Sequence, residues 1–205
     1  MRRGIVQPVT KLGRTNLERT DPRITRTEQA LTLAIRQLAA ERPVSQITVA
    51  DLAERAGVTR ATFYNRYTSP LELLIQVLYA DLERGHREED TRRAEGGYSP
   101  EQLLRFATAE VADHVDRFRD VYRNALHNPA DRGVYEALTR HFADYALTFI
   151  ARSAHPDLPA ANHRIVAQFL AHGFAGAINA WLGDEALTKA DLVDAAVACA
   201  PVWWA

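Results

Sequence analysis

The stretch ITVADLAERAGVTRATFYNRY, residues 47–67, decides the fold of this chain. Thr48 is suited to cap a helix N-terminus. Asp51 stands three residues on, the spacing at which an acidic side chain reaches back to the cap's own backbone N–H. Leu52, Ala53 and Ala56 give a short apolar face. Gly57 permits the backbone of a tight turn, Val58 re-enters the core, and Thr59 caps a second short helix whose inner side is Ala61, Thr62 and Phe63 in part. Two short capped helices joined by a glycine turn, braced by a preceding helix, form a helix-turn-helix pattern.

Upstream, Leu31, Ala34, Ile35, Leu38 and Ala39 share one helical face beginning near Ile24. That helix stops ahead of Pro43, which disfavours helical backbone at Arg42. Residues 1–22 have no periodicity and carry Arg2, Arg3, Lys11, Arg14 and Arg19, so they read as a flexible basic arm. Downstream, Ser69-Pro70-Leu71-Glu72 and Ser99-Pro100-Glu101-Gln102 each place a cap, a first-turn proline and a side chain that can close a capping box. The first opens a helix with Leu71, Leu74, Ile75, Leu78 and Leu82, ending in a charged stretch. The second opens one with Leu103, Leu104, Ala107, Val111, Val115 and Phe118. A short helix over about 120–127 precedes Pro129. Val134, Leu138, Phe142, Tyr145 and Phe149 mark the next. A long helix with Ile165, Phe169, Phe174, Ile178 and Trp181 ends at Gly183, and Thr188 caps a last one reaching about Ala200. No stretch alternates with a period of two. The expectation is an all-α fold of about nine helices. It divides into the arm (1–22), a helix-turn-helix domain (23–75) and a helical ligand-binding and dimerisation domain (76–205).

The net charge of −1 conceals an uneven distribution. Residues 1–70 hold 12 Lys+Arg against 6 Asp+Glu, and residues 71–205 hold 13 against 20. The first third is thus suited to meet a polyanion and the remainder is not. No apolar run is expected to approach the roughly 18 residues of a membrane helix, so no membrane partner is expected. MRRGIVQPVTKLGRTN lacks the apolar centre of a secretory signal, and Cys199 has no second cysteine to pair with. The expected location is cytoplasmic. Among seven histidines no H-x-x-x-H pair occurs, and there is no glycine-rich phosphate loop or G-x-S-x-G. No catalytic residue, metal site or cofactor is expected.

A recognition helix must lie in the major groove, held by short polar side chains on phosphates. Thr48 can bring a helix N-terminus to a phosphate. Thr59, Thr62, Tyr64 and Tyr67 supply hydroxyl donors, and Arg60 and Arg66 supply charge and guanine-binding capacity. With ITVADLAERAGVTRATFYNRYTSPLELL in view, residues 24–75 resemble the DNA-binding domain of the tetracycline-repressor (TetR/AcrR) family of bacterial regulators. The resemblance implies that Thr48, Arg60, Thr62, Tyr64 and Arg66 occupy DNA-contact positions and that Phe63 is core. Members usually place a lysine just after the third helix, where this chain has Thr68-Ser69-Pro70. Position 50, from which some members read a base, is Ala50.

The resemblance further implies a homodimer on double-stranded operator DNA and a small-molecule effector bound by the C-terminal domain, with repression the expected outcome. Small residues in the Phe169–Trp181 segment let helices approach closely, since mid-helix glycine otherwise costs about 1 kcal/mol. A two-fold interface built from the last two helices is expected there, through Phe169, Gly173, Gly176, Ala177, Ala180, Trp181, Leu192 and Ala196. Candidate effector-pocket walls are Phe106, His114, Phe118, Tyr122, His141, Phe142, Tyr145 and Phe169.

Overall fold

The computed structural model describes residues 22–126, 128–153 and 155–204. Apart from Pro22, the expected basic arm lies outside them, as does His127 at the expected end of the 120–127 helix. Nine α-helices and no strand occur among the described residues: α1 (Pro22–Glu41), α2 (Val49–Ala56), α3 (Arg60–Tyr64), α4 (Pro70–Glu95), α5 (Pro100–Arg117), α6 (Arg119–Leu126), α7 (Arg132–Arg152), α8 (His163–Gly183) and α9 (Lys189–Cys199). Thr48, Thr59, Ser69, Ser99 and Thr188 each cap the helix that follows, their side-chain oxygens accepting a backbone N–H three residues on. Such caps satisfy N–H groups that a helix start leaves without intrahelical partners. Gly57 ends α2 in the left-handed region at φ 66°, where a side chain would be strained.

α1, α2 and α3 form a head whose centre is Leu31, Ile35, Leu52 and Phe63, all fully buried. α4, 26 residues and about 39 Å long, runs unbroken from this head into the body. Leu74, Leu78 and Leu82 along it belong to one apolar cluster that extends from Leu31 to Leu192. In the body α7 lies along α8, while α5 packs against both α4 and α9. A second, smaller cluster joins Ala146, Ile150, Ala167 and Trp203.

Head and body also meet through hydrogen bonds. The Asn124 side-chain amide on α6 donates to the carbonyls of Ala39 (3.0 Å) and Ala40 (3.2 Å) at the end of α1. The backbone N–H of Ser45 donates to Asp131 Oδ1 at 2.8 Å, and Asn128 Nδ2 donates to Ser45 Oγ at 3.0 Å. Asp131 is fully buried. Gly133 lies so close to α4 that a Cβ there would sit 2.9 Å from Leu71 Cδ2.

One expectation needs correction. α8 is long and apolar enough, by length and composition, to cross a membrane. Its alanines and its Ile, Val, Leu and Phe side chains raise the average even though Gln168, His172 and Asn179 interrupt the runs. One side of it, through Ala167, Ala171, Ala175, Ile178, Trp181 and Leu182, is buried in the body.

Candidate functional site

The helix-turn-helix is anchored from beneath and polar above. Phe63 is fully buried, with the Tyr64 and Tyr67 rings 5.6 and 5.7 Å from it. On the outer side Thr48, Thr59, Arg60 and Tyr64 are exposed. Thr48 and Asp51 form a reciprocal capping box: Asp51 N–H donates to Thr48 Oγ1 at 3.1 Å, and Thr48 N–H donates to Asp51 Oδ2 at 3.0 Å. The bond from the Thr48 backbone is the main reason the Asp51 carboxyl titrates below its ordinary value. Arg42 adds a 2.7 Å ion pair to the same carboxylate oxygen. Thr59 Oγ1 accepts from Thr62 N–H at 3.1 Å and lies 2.9 Å from Thr62 Oγ1. The two arginines differ. Arg60 is exposed on α3, whereas Arg66 is half-buried and paired with Glu28 of α1 at 2.5 Å. Tyr67 is half-buried, and burial pushes its phenol up. Thr62 and Arg66 border a shallow recess beside Arg23 and Thr27 at the start of α1.

A cavity of about 420 Å³ lies in the body among α4, α5, α7, α8 and α9, within the size range that houses small-molecule ligands. Leu82, Leu104, Val111, Phe142, Phe174 and Trp204 supply much of its apolar wall. Asp81, His86, Glu89, Glu110, His114 and Tyr145 supply its polar wall. Burial pushes the Asp81 carboxyl up, but hydrogen bonds from His114 and Arg117 outweigh it and hold the group well below the usual carboxylate range. Burial depresses His114, which Asp81 offsets only in part. Its imidazole is therefore neutral, with Nδ1–H donating to Asp81 Oδ2 (2.8 Å) and Nε2 accepting from the Tyr122 hydroxyl (2.7 Å). On α7, His141 Nε2 stands 2.9 Å from His86 Nε2. Burial, with smaller contributions from His86 and His114, lowers His141 to about 4. Tyr145 donates its hydroxyl proton to Glu89 Oε2 at 2.5 Å. Burial and then the Glu89 charge push that phenol well above its ordinary value.

The outer side of α8 is apolar and uncovered. Ile165 and Phe169 are 70% and 78% exposed, and Gly173, Gly176 and Ala180 continue the same face. Ala190, Ala195 and Ala198 of α9 are exposed as well.

Residues 31–77 match the family model described as bacterial regulatory proteins, tetR family. Residues 31–77 form a TetR-type DNA-binding domain. The head is thus a DNA-binding domain of the kind that bacterial transcription regulators carry. Solved TetR-type structures share its fold. NalD of Pseudomonas aeruginosa, the secondary repressor of the MexAB-OprM multidrug efflux pump, aligns at 22% identity with a TM-score of 0.55, over 84% of this chain and 96% of that one. The fatty acid degradation regulator FadR of Bacillus halodurans aligns at 15% identity and a TM-score of 0.58, over 84% and 93%. Thermus thermophilus FadR, a TetR-family repressor solved with lauroyl-CoA, aligns at 18% identity and a TM-score of 0.61, over 83% and 91%. No curated protein matches the chain.

The residues expected to touch DNA gather on the head, with Arg66 drawn back to α1 and Tyr67 packed on Phe63. Of the expected pocket walls, His114, Phe142, Tyr145 and Phe169 border the cavity. Phe106 instead carries Arg92 over its ring and meets Tyr98. Phe118 is buried under Arg36. Tyr122 and His141 stand behind the wall as partners of His114 and His86. Of the expected interface residues, Phe169, Gly173, Gly176 and Ala180 lie on the open face. Ala177 and Ala196 border the cavity, and Trp181 and Leu192 point the other way, into the protomer core. The sequence reading does not include Asp81, His86 and Glu89, because the end of α4 reads as a solvated charged stretch, nor Glu110, a single acid on α5. A signal existed: Asp81, Gly85 and Glu89 recur at intervals of four, which sets both carboxylates on one side of α4.

Proposed function

We propose that this regulator is a repressor that binds a palindromic operator as a two-fold homodimer and releases it when a small molecule fills the body cavity. The observation that carries the reading is the two-sidedness of α3: Phe63 is locked in the core while Arg60 and Tyr64 stand free on the outer face. Such a helix is held rigidly and can offer side chains to the major groove. Thr48, Thr59 and Thr62 flank it as phosphate donors, and Arg66 joins them by leaving Glu28. The basic balance of residues 1–70 supplies the long-range attraction.

The open α8 face, with α9 beside it, is the dimer contact. It belongs to residues 76–205, the ligand-binding and dimerisation part, while residues 23–75 form the reading head. A two-fold pair sets its two α3 helices one turn of DNA apart, about 34 Å, or a multiple of it. An effector that fits the cavity better when the heads are displaced weakens operator binding by its differential affinity, and the operator weakens the effector equally. The TetR-family complex with lauroyl-CoA supports the assignment of small-molecule binding to the body. The assembly acts in the cytoplasm, on DNA, without a membrane partner.

Selection of bound fragments from random DNA tests this reading. An inverted repeat with half-sites about one helical turn apart is expected, and Arg60→Ala with Tyr64→Ala should abolish its retention at moderate salt. Fragments lacking two-fold symmetry, or retention unchanged in the double variant, would refute it.

A further inference from the structure

The cavity wall is one-sided in charge. Asp81, Glu89 and Glu110 border it, and among the described residues no lysine or arginine does. The arginines that pair with these carboxylates stand outside the wall: Arg117 at 2.7 Å from Asp81, Arg93 at 3.0 Å from Glu89 and Arg92 at 3.5 Å from Glu110. His114 has both ring nitrogens engaged, so it has no donor to spare. The Tyr145 proton is directed at Glu89. Beside the His86 imidazole, whose Nε2 already meets His141, what the wall offers an occupant is mainly oxygen lone pairs, on Glu89, Glu110 and the Tyr145 hydroxyl. Glu89 is 4% exposed, so its charge acts in a medium that screens little. The Trp204 ring stands 6.3 Å from that of Tyr145, Phe142 and Phe174 also line the cavity, and aromatic faces attract cations.

An acid placed here would lose its hydration and meet like charge, with no cation on the wall to compensate. A protonated amine would exchange its water for a charge-assisted bond to a buried carboxylate. We propose that the effector is an apolar amine, its hydrocarbon or aromatic body filling the cavity and its ammonium group held at Glu89 beside Tyr145, with Glu110 as the second carboxylate. This rests on the reading of the cavity as an effector site.

Titration calorimetry of the full chain with decylamine, decanol and decanoate, at neutral pH and below their aggregation concentrations, tests both layers. Decylamine should bind about tenfold or more tightly than decanol, the worth of one charged hydrogen bond over a neutral one, and decanoate should bind weakest. Glu89→Gln, which keeps shape and an acceptor for Tyr145, should bring decylamine down to the alcohol. Glu110→Gln should narrow the gap should the first variant fail to fold. Decanoate binding as tightly as decylamine, or an amine advantage that survives both substitutions, overturns the amine assignment alone. Absence of binding by all three, or binding unchanged when Ala177→Trp blocks the wall, overturns the effector reading and the amine assignment with it.

Discussion

Acidification should destabilise this protein well before its carboxylates titrate, and His141 is the residue that makes the effect measurable. The unfolded chain takes up the His141 proton near the ordinary value of 6.5, whereas the folded chain resists it down to about 4. Between those values the unfolded state binds more protons, so stability is full above the upper value and falls as pH falls toward the lower one. For one such site the loss from about pH 7 to about pH 5 comes to about 2 kcal/mol. Asp81 does not obscure this window: its stabilisation is intact above its ordinary value of 3.8 and is lost only below it. His114 is depressed for the same chief reason, burial, and adds a loss of the same sign. The comparison is therefore between the parent chain and His141→Gln, which keeps a polar partner for His86. Urea unfolding followed by circular dichroism, at both pH values and one protein concentration, gives the four free energies needed. The variant's loss should be smaller by about 2 kcal/mol. An equal loss in both chains would show that His141 is not held neutral by the fold.

Three further outcomes follow from the geometry. Arg60→Ala should weaken binding to a selected operator by about 1–3 kcal/mol in gel-shift titrations. Arg66→Ala should cost less, because Arg66 must first give up Glu28. A larger effect at Arg66 would reverse their assigned roles. Gly57→Ala forces a side chain into the left-handed region and should lower stability by about 1–2 kcal/mol in thermal melts. The space around Gly57 is open, so a larger loss would point to a cause other than backbone strain. Phe169→Asp should leave the fold's melting nearly unchanged when the change is referred to the monomer, because the side chain is 78% exposed. Sedimentation should nevertheless show dissociation into single chains, and a dimer that survives would place the contact elsewhere.

The head and the helix boundaries were legible in the sequence because their determinants are local. Thr48, Thr59, Ser69, Ser99 and Thr188 announce helix starts through bonds spanning three residues, and Gly57 announces the turn through its own backbone freedom. The motif that carried the family resemblance, residues 47–74, falls within the 31–77 that the family model matches. The cavity was legible only in part, because a void is made by side chains that are absent. Gly85, Ala107, Gly173 and Ala195 border it from four different helices, and spacing within one helix cannot show which small residues come together. The same holds for the His86–His141 and Glu89–Tyr145 pairs, set by the register of α4 against α7. Trp181 and Phe169 share one apolar helix, and periodicity marks both as lipophilic. Packing against the body sends one inward and leaves the other out.

Asn124 has a consequence for how the molecule comes apart. Its amide finishes α1 by taking up carbonyls that a helix end would otherwise leave to water, so part of the reading head's own termination is supplied from the body. Ser45 and Asp131 fasten a second edge, and Leu74 and Leu78 sit in a cluster common to both. Melting should accordingly be one cooperative event for both portions. A fragment ending at residue 75 would be a poor module for grafting onto another regulator unless the α6 edge travelled with it.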